Sequence, residues 1–227
     1  MAKAAPKTLW RPDTPKVRRV IAALEKQHPG AWTELAFKDA YQLLIATVLS
    51  AQSSDARVNG VTPALFERYP DARALAKATT DELEPQIKPT GFFRAKSRAL
   101  AALAAAIVER HGGAVPGTMD ALTALPGVGR KTANVVLNVA FGESTMAVDT
   151  HIFRIGNRTG LAPGRTPREV EDGLVRRCPP ELLRDAHHWL ILHGRYVCKA
   201  RAPECWRCVA APFCNYRDKV LVPAPGG

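Results

Sequence analysis

The chain lacks any stretch long and charge-free enough to span a bilayer, and its cationic start, MAKAAPKTLWRPDTPKVRR, is followed by no apolar run of the kind that directs secretion. Cysteine is scarce, five in 227 residues, which excludes a disulfide-dense secreted scaffold. No convincing alternation of apolar and polar residues marks a strand, and neither an internal repeat nor a low-complexity segment is evident. These absences predict a soluble, globular protein of a reducing compartment, with no membrane-spanning segment and the bacterial cytoplasm as its default setting.

What is present is helix and positive charge. With 46% hydrophobic residues the chain can bury a substantial core, as one large domain or two small ones. Lys and Arg outnumber Asp and Glu by 32 to 21, a formal charge of +11, which favours a polyanionic partner without separating DNA, RNA and anionic membrane. Apolar residues recur at helical spacing, as in Val17, Val20, Ile21 and Leu24, or Leu100, Leu103, Ile107 and Val108. Pro and Gly punctuate the chain at Pro29-Gly30, Pro70, Pro89-Thr90-Gly91, Gly112-Gly113, Pro116-Gly117, Pro163-Gly164 and Pro179-Pro180. An all-α protein of roughly ten helices with short connections follows. Leu43 to Ala51 reads as a fully buried central helix, stopped by Gln52-Ser53-Ser54-Asp55, which also caps the next one. The alanine-rich run Ala99 to Ala106 favours helix and close helix packing.

The most informative run is LTALPGVGRKTANVVLNV, Leu122 to Val139. A helix must end near Leu125, because Pro126 and Gly127 cannot continue it, and another begins after Gly129. This helix-hairpin-helix would let Pro126, Gly127, Val128, Gly129 and Arg130 approach a phosphate, with the new helix's first N–H groups as donors. Such a hairpin holds backbone without reading sequence. Taken alone, Lys131 is a phosphate-binding cation and Asp149 a helix N-cap. Further on, Cys198, Cys205, Cys208 and Cys214 form C-x6-C-x2-C-x5-C, four soft thiolates suited to one ion or cluster, and this spacing leaves zinc and iron-sulfur both open.

The string LPGVGRKTANVV, together with Ala147-Val148-Asp149-Thr150-His151, Arg154, the run His187 to Arg195 and the cysteines, resembles the endonuclease III family of helix-hairpin-helix DNA glycosylases from about Tyr41 onward. The resemblance implies two helical lobes flanking a DNA-binding cleft. They map to a six-helix lobe ending in the hairpin, residues 31–143, and a second lobe, residues 1–30 plus 144–227, that carries the cysteines. It implies base-excision repair by a bifunctional N-glycosylase and abasic-site lyase that removes oxidised pyrimidines from duplex DNA. Lys131 would attack the sugar at C1′ and form a Schiff base, and Asp149 would stabilise the cationic sugar and assist proton transfer. A related branch that excises mispaired adenine or thymine lacks lysine at this position. Likeness to the family decides the metal for a [4Fe-4S] cluster of structural role, with Lys199 and Arg201 in its loop presented to phosphate, and with His151 beside the DNA. A monomer associated with the nucleoid is expected.

Gln52 matches a family position that fills the gap left by a flipped base, and otherwise reads as a helix C-cap. Phe92 follows Thr90-Gly91 in a loop that inserts from the other side, where family members commonly carry leucine; its alternative is a core residue paired with Phe93. Asp55 either shapes the damaged-base pocket or caps a helix. His187, His188 and His193 are explained by packing and hydrogen bonding, Arg195 and Tyr196 by support of the cysteine loop, and Cys178 as a buried or idle thiol. Two other functions stay open: a monofunctional mismatch glycosylase, against which Lys131 argues, and a non-catalytic DNA-binding module stabilised by a metal.

Overall fold

The computed structural model describes residues 14–223, so the cationic start up to residue 13, with that part of the expected second lobe, lies outside the described residues. Among the described residues there are eleven α-helices and no strand. In chain order they are α1 (Pro15–Gln27), α2 (Ala40–Leu49), α3 (Asp55–Arg68), α4 (Ala72–Leu75), α5 (Thr80–Ile87), α6 (Phe93–His111), α7 (Met119–Thr123), α8 (Arg130–Ala140), α9 (Thr150–Thr159), α10 (Pro167–Arg177) and α11 (Pro180–Tyr196). The chain divides into two compact units, one of residues 33–147 and one of residues 1–32 with 148–227. No described helix is long and apolar enough to cross a membrane.

The unit of residues 33–147 is built around α2, which is buried from Tyr41 to Leu49 except for Gln42. One side of α2 joins the main core, where Leu44, Ile45 and Leu49 meet residues such as Leu65, Leu83, Leu103 and Val136. Its other side places Leu43 against Val135, Val139 and Ala147. The chain leaving α8 is held to it by side-chain amides: Asn134 donates to Met146 O at 3.2 Å and Asn138 to Thr145 O at 3.0 Å, while Thr145 Oγ1 donates back to Asn134 O at 2.7 Å. These bonds satisfy buried backbone that a short extended segment leaves without a ladder partner.

In the other unit α1 lays its stripe of Val17, Val20, Ile21 and Leu24 against α11, whose own buried residues include Leu183, Trp189 and Leu190. Glycine permits a close helix contact here. A Cβ added at Gly194 of α11 would fall 2.6 Å from His151 Cβ and 3.2 Å from His151 Cα, so α9 and α11 touch backbone to side chain. Gly156 and Gly173 do the same service around Ala162. We expect Gly194→Ala to lower the free energy of unfolding by about 1–3 kcal/mol, because the clash is with a helix backbone that has nowhere to go; urea denaturation reads this, and an unchanged midpoint would contradict the packing described.

Candidate functional site

The hairpin is built by alternation of anchored and open residues. α7 stops at Thr123, capped by Ala124, and Leu125 and Val128 are buried at 3% and 5% exposure, plugging the turn into the core. Between and beyond them Gly127, Gly129, Arg130 and Lys131 are exposed and Pro126 is half-buried. Gly127 has φ +75°, a left-handed conformation glycine takes without strain, and a Cβ there would come within 3.4 Å of Ala99 Cβ in the alanine-rich stretch of α6. Val128 N–H donates to Leu125 O at 3.2 Å, which tightens the turn. Gly129, the N-cap of α8, contributes no side-chain hydrogen bond, and nothing lies within 4 Å of a Cβ placed on it. The start of α8 thus sets the positive end of a helix dipole beside an open glycine turn. Lys131 is the second residue of that helix.

Asp149 opens α9 in the other unit. Its Oδ1 accepts from His151 N–H and Ile152 N–H, both at 2.9 Å, so the N-cap read from sequence is present. The carboxylate is half-buried and its position is fixed by the helix it starts. His151 is half-buried too, its Nδ1 3.2 Å from Arg154 Nη2. Arg154 spans three elements: Nη2 donates to Gly194 O at 2.8 Å, Nε to Cys198 O at 2.9 Å and Nη1 to Thr150 O at 3.3 Å.

The four cysteines of the C-terminal run line one pocket with Arg158, His193 and Tyr216. Arg158 was not singled out from sequence, although it lies one helical turn beyond Arg154. It donates to Lys199 O at 2.7 Å and Ala200 O at 2.9 Å, reaches Cys198 Sγ at 3.5 Å, and stacks 4.4 Å from the Tyr216 ring centre. His193, buried by α11, sits 3.4 Å from Cys208 Sγ through Nε2 and 3.1 Å from His28 Nε2 through Nδ1. Burial, with the nearby charges of His28 and Arg207, pushes the His193 pKa down to about 3, which keeps the ring neutral. His28 went unnoticed because a lone histidine at a helix end carries no pattern. Gln27 clamps the loop from α1, its amide donating to Arg207 O and accepting from Val209 N–H, both at 3.0 Å.

Not every residue singled out from sequence lies open. Lys199 is exposed but paired with Glu204, which also takes Arg207, while Arg201 is exposed. Cys178 is fully buried and its thiol is pushed up to about 12 by desolvation, an inert group as expected. His188 is buried with its pKa lowered to about 4, and it packs 4.7 Å from the Trp32 ring, in keeping with a packing role. The alternative readings of Gln52 and Phe92 need correcting. The helix ends with Ser50 as C-cap, so Gln52 is not the cap; it stands exposed beyond it with φ 56°. Phe92 is 71% exposed with φ 48°, and only Phe93 packs on the core. Left-handed backbone at a non-glycine residue costs on the order of 1–3 kcal/mol. Asp55 is the first residue of α3, whose cap is Ser54.

Comparison with known proteins gives concordant results. The family model for the HhH-GPD superfamily of base excision DNA repair proteins matches residues 45–180. Endonuclease III of Haemophilus influenzae is 46% identical over 201 residues, 88% of this chain and 95% of that protein, and Endonuclease III of Escherichia coli K12 is 45% identical over the same shares. Among solved structures, a trapped Endonuclease III-DNA covalent intermediate and a non-covalent Endonuclease III-DNA complex each align at TM-score 0.84 and 41% identity, covering 88% of this chain and 94% of theirs. A thermostable thymine-DNA glycosylase at 23% identity and TM-score 0.80 shares the fold. Since Asn caps helices as well as Asp does, we expect Asp149→Asn to keep the melting temperature and Asp149→Ala to cost about 1 kcal/mol of stability; a thermal melt of the two variants separates the cap from any role of the charge.

Proposed function

The chain belongs to the endonuclease III family of HhH-GPD base excision DNA repair proteins, and on that premise we propose that it excises oxidised pyrimidines from duplex DNA and then cuts the abasic strand, with Lys131 as nucleophile. The observation that carries the residue assignment is the position of Lys131: exposed, on the first turn of α8, directly after the glycine hairpin.

The chemistry follows from these groups. A phosphate docked on the α8 N-terminus, with Gly127, Gly129 and Arg130 around it, brings the neighbouring sugar to the Lys131 amine. As the bond from C1′ to the base breaks, positive charge grows on the sugar, and the carboxylate of Asp149, immobilised by its two amide bonds, is the group to stabilise it. The neutral amine adds to C1′, the base leaves with a proton, and opening of the sugar ring gives a Schiff base. The imine acidifies C2′; loss of that proton expels the 3′ phosphate and nicks the strand, and water releases Lys131. Gln52 and Phe92, exposed on strained turns, are the side chains to fill the space vacated in the stack, while His151, Lys199 and Arg201 add contacts to the backbone.

Cys198, Cys205, Cys208 and Cys214 would hold a [4Fe-4S] cluster. All four line one pocket, and four soft thiolates around one space are a donor set that fits an iron-sulfur cluster. Desolvation, with the charges of the other three sulfurs behind it, pushes the Cys208 thiol up to about 11, so a deprotonated set calls for a cation among them. Arg158 and His193 stand at hydrogen-bond distance from two of the sulfurs. When bound, the cluster supplies iron-sulfur bonds that cross-link the loop, and the reaction needs nothing more from it. We place the protein, as a monomer, at the bacterial nucleoid.

Wild-type protein incubated with a duplex carrying one thymine glycol and then borohydride should give a covalent adduct, and Lys131→Ala should give neither adduct nor nick. Trapping by the alanine variant would sink the assignment; base loss without a nick in wild type would point to a monofunctional enzyme. Separately, Lys199→Ala should flatten the dependence of log affinity on log salt by about one unit for undamaged duplex. An unchanged slope across a salt titration would remove Lys199 from the phosphate contacts.

A further inference from the structure

Among the described residues, Gln52 and Phe92 are the two non-glycine residues with positive φ. They lie in separate loops of the same unit, one following α2 and the other preceding α6. One side chain joins those loops. Lys96, fourth residue of α6, is 6% exposed, and its Nζ donates to Leu49 O and to Thr90 O, both at 2.8 Å. Leu49 is the last residue of α2, three before Gln52; Thr90 ends a short 3-10 turn, two before Phe92. The backbone N–H of Lys96 also donates to Phe92 O at 3.0 Å.

A buried ammonium is costly to desolvate, and a methionine would fill the same volume without that cost. Desolvation accordingly lowers the pKa of Lys96. What methionine cannot do is bind two carbonyl oxygens at once. One of these oxygens belongs to the C-terminus of α2, where the helix dipole favours a cation. The tie fixes the distance between two exposed, strained residues that would otherwise ride on independent loops.

We infer that Lys96 is a positioning residue for base flipping: by clamping the end of α2 to the turn before α6, it presents Gln52 and Phe92 to the duplex as one unit. The inference rests on the proposed role of those two residues in filling the vacated stack. Misplacement by an ångström far from the reacting atoms is enough to cost up to about a hundredfold in rate, so the tie is within reach of activity without touching DNA.

The test uses full-length, cluster-loaded protein and a duplex with 2-aminopurine opposite the lesion, whose fluorescence rises when the base is unstacked. Lys96→Met should dim that signal and slow single-turnover base removal from duplex by between about ten- and a hundredfold. Cleavage of a single-stranded abasic oligonucleotide, where nothing need be unstacked, should stay within about twofold of wild type on the same reasoning. Equal loss on both substrates would overturn the inference in favour of a general structural role. Gln52→Ala and Phe92→Ala run alongside: if neither dims the signal, the gap-filling reading itself fails; if they dim it and Lys96→Met does not, only the clamp fails. Should Lys96→Met not fold, the exposed pair decides. Effects of Gln52→Ala and Phe92→Ala combined in one protein should be markedly less than the product of the single effects, and multiplicative effects would overturn the clamp.

Discussion

The closeness of α9 to α11 at Gly194 is the constraint on which the C-terminal unit depends. Because glycine leaves room, His151 packs directly on α11, and Arg154, one turn further along α9, reaches the carbonyls of Gly194 and Cys198 in a single span. The start of α9, which carries Asp149, and the start of the cysteine loop are thereby indexed to the same helix. A carboxylate meant to face developing charge must not wander, and this one is held by two backbone amides on a helix that is itself pinned at its first turn.

Cations in this protein divide by what they face. A formal charge of +11 suggests a surface crowded with phosphate ligands. Arg154, Arg158 and Lys96, however, spend their donors on backbone carbonyls inside the fold, and Lys199 and Arg207 share Glu204. The electrostatic surface offered to a polyanion is smaller than composition implies, and the internal arginines work as cross-links between loops that have few backbone bonds of their own.

Legibility from sequence followed locality. The hairpin was readable because Pro126, Gly127 and Gly129 act on their immediate neighbours, and α2 as far as Leu49 because an unbroken apolar run buries itself, whereas Ser50 and Ala51, read as its continuation, lie beyond the helix with Ala51 exposed. Expected core helices appeared with their stripes, α1 residue for residue. Asp149 as N-cap needed only the residues beside it. What escaped was of two kinds. Long-range partners such as His28 with His193, Arg158 with the cysteine loop, and Lys96 with Leu49 join residues distant in sequence and leave no periodic trace. Backbone conformation at Gln52 and Phe92 escaped too, since neither residue type favours the left-handed region and only the surrounding fold imposes it. Phe92 illustrates the hazard of reading an aromatic as core by default: of two adjacent phenylalanines, the second takes the core and the first is turned outward.

The pairing of α1 with α11 has a consequence for the order in which the molecule can be assembled. Residues 33–147 form a contiguous unit whose partners emerge close together, so that unit can condense while the remainder is still being synthesised. The stripe of Val17, Val20, Ile21 and Leu24 has no such fortune: the helix that covers it begins at Pro180. During most of translation α1 is an apolar segment awaiting a mate, in competition with any other sticky surface nearby, and the C-terminal unit closes only after the last quarter of the chain has left the ribosome.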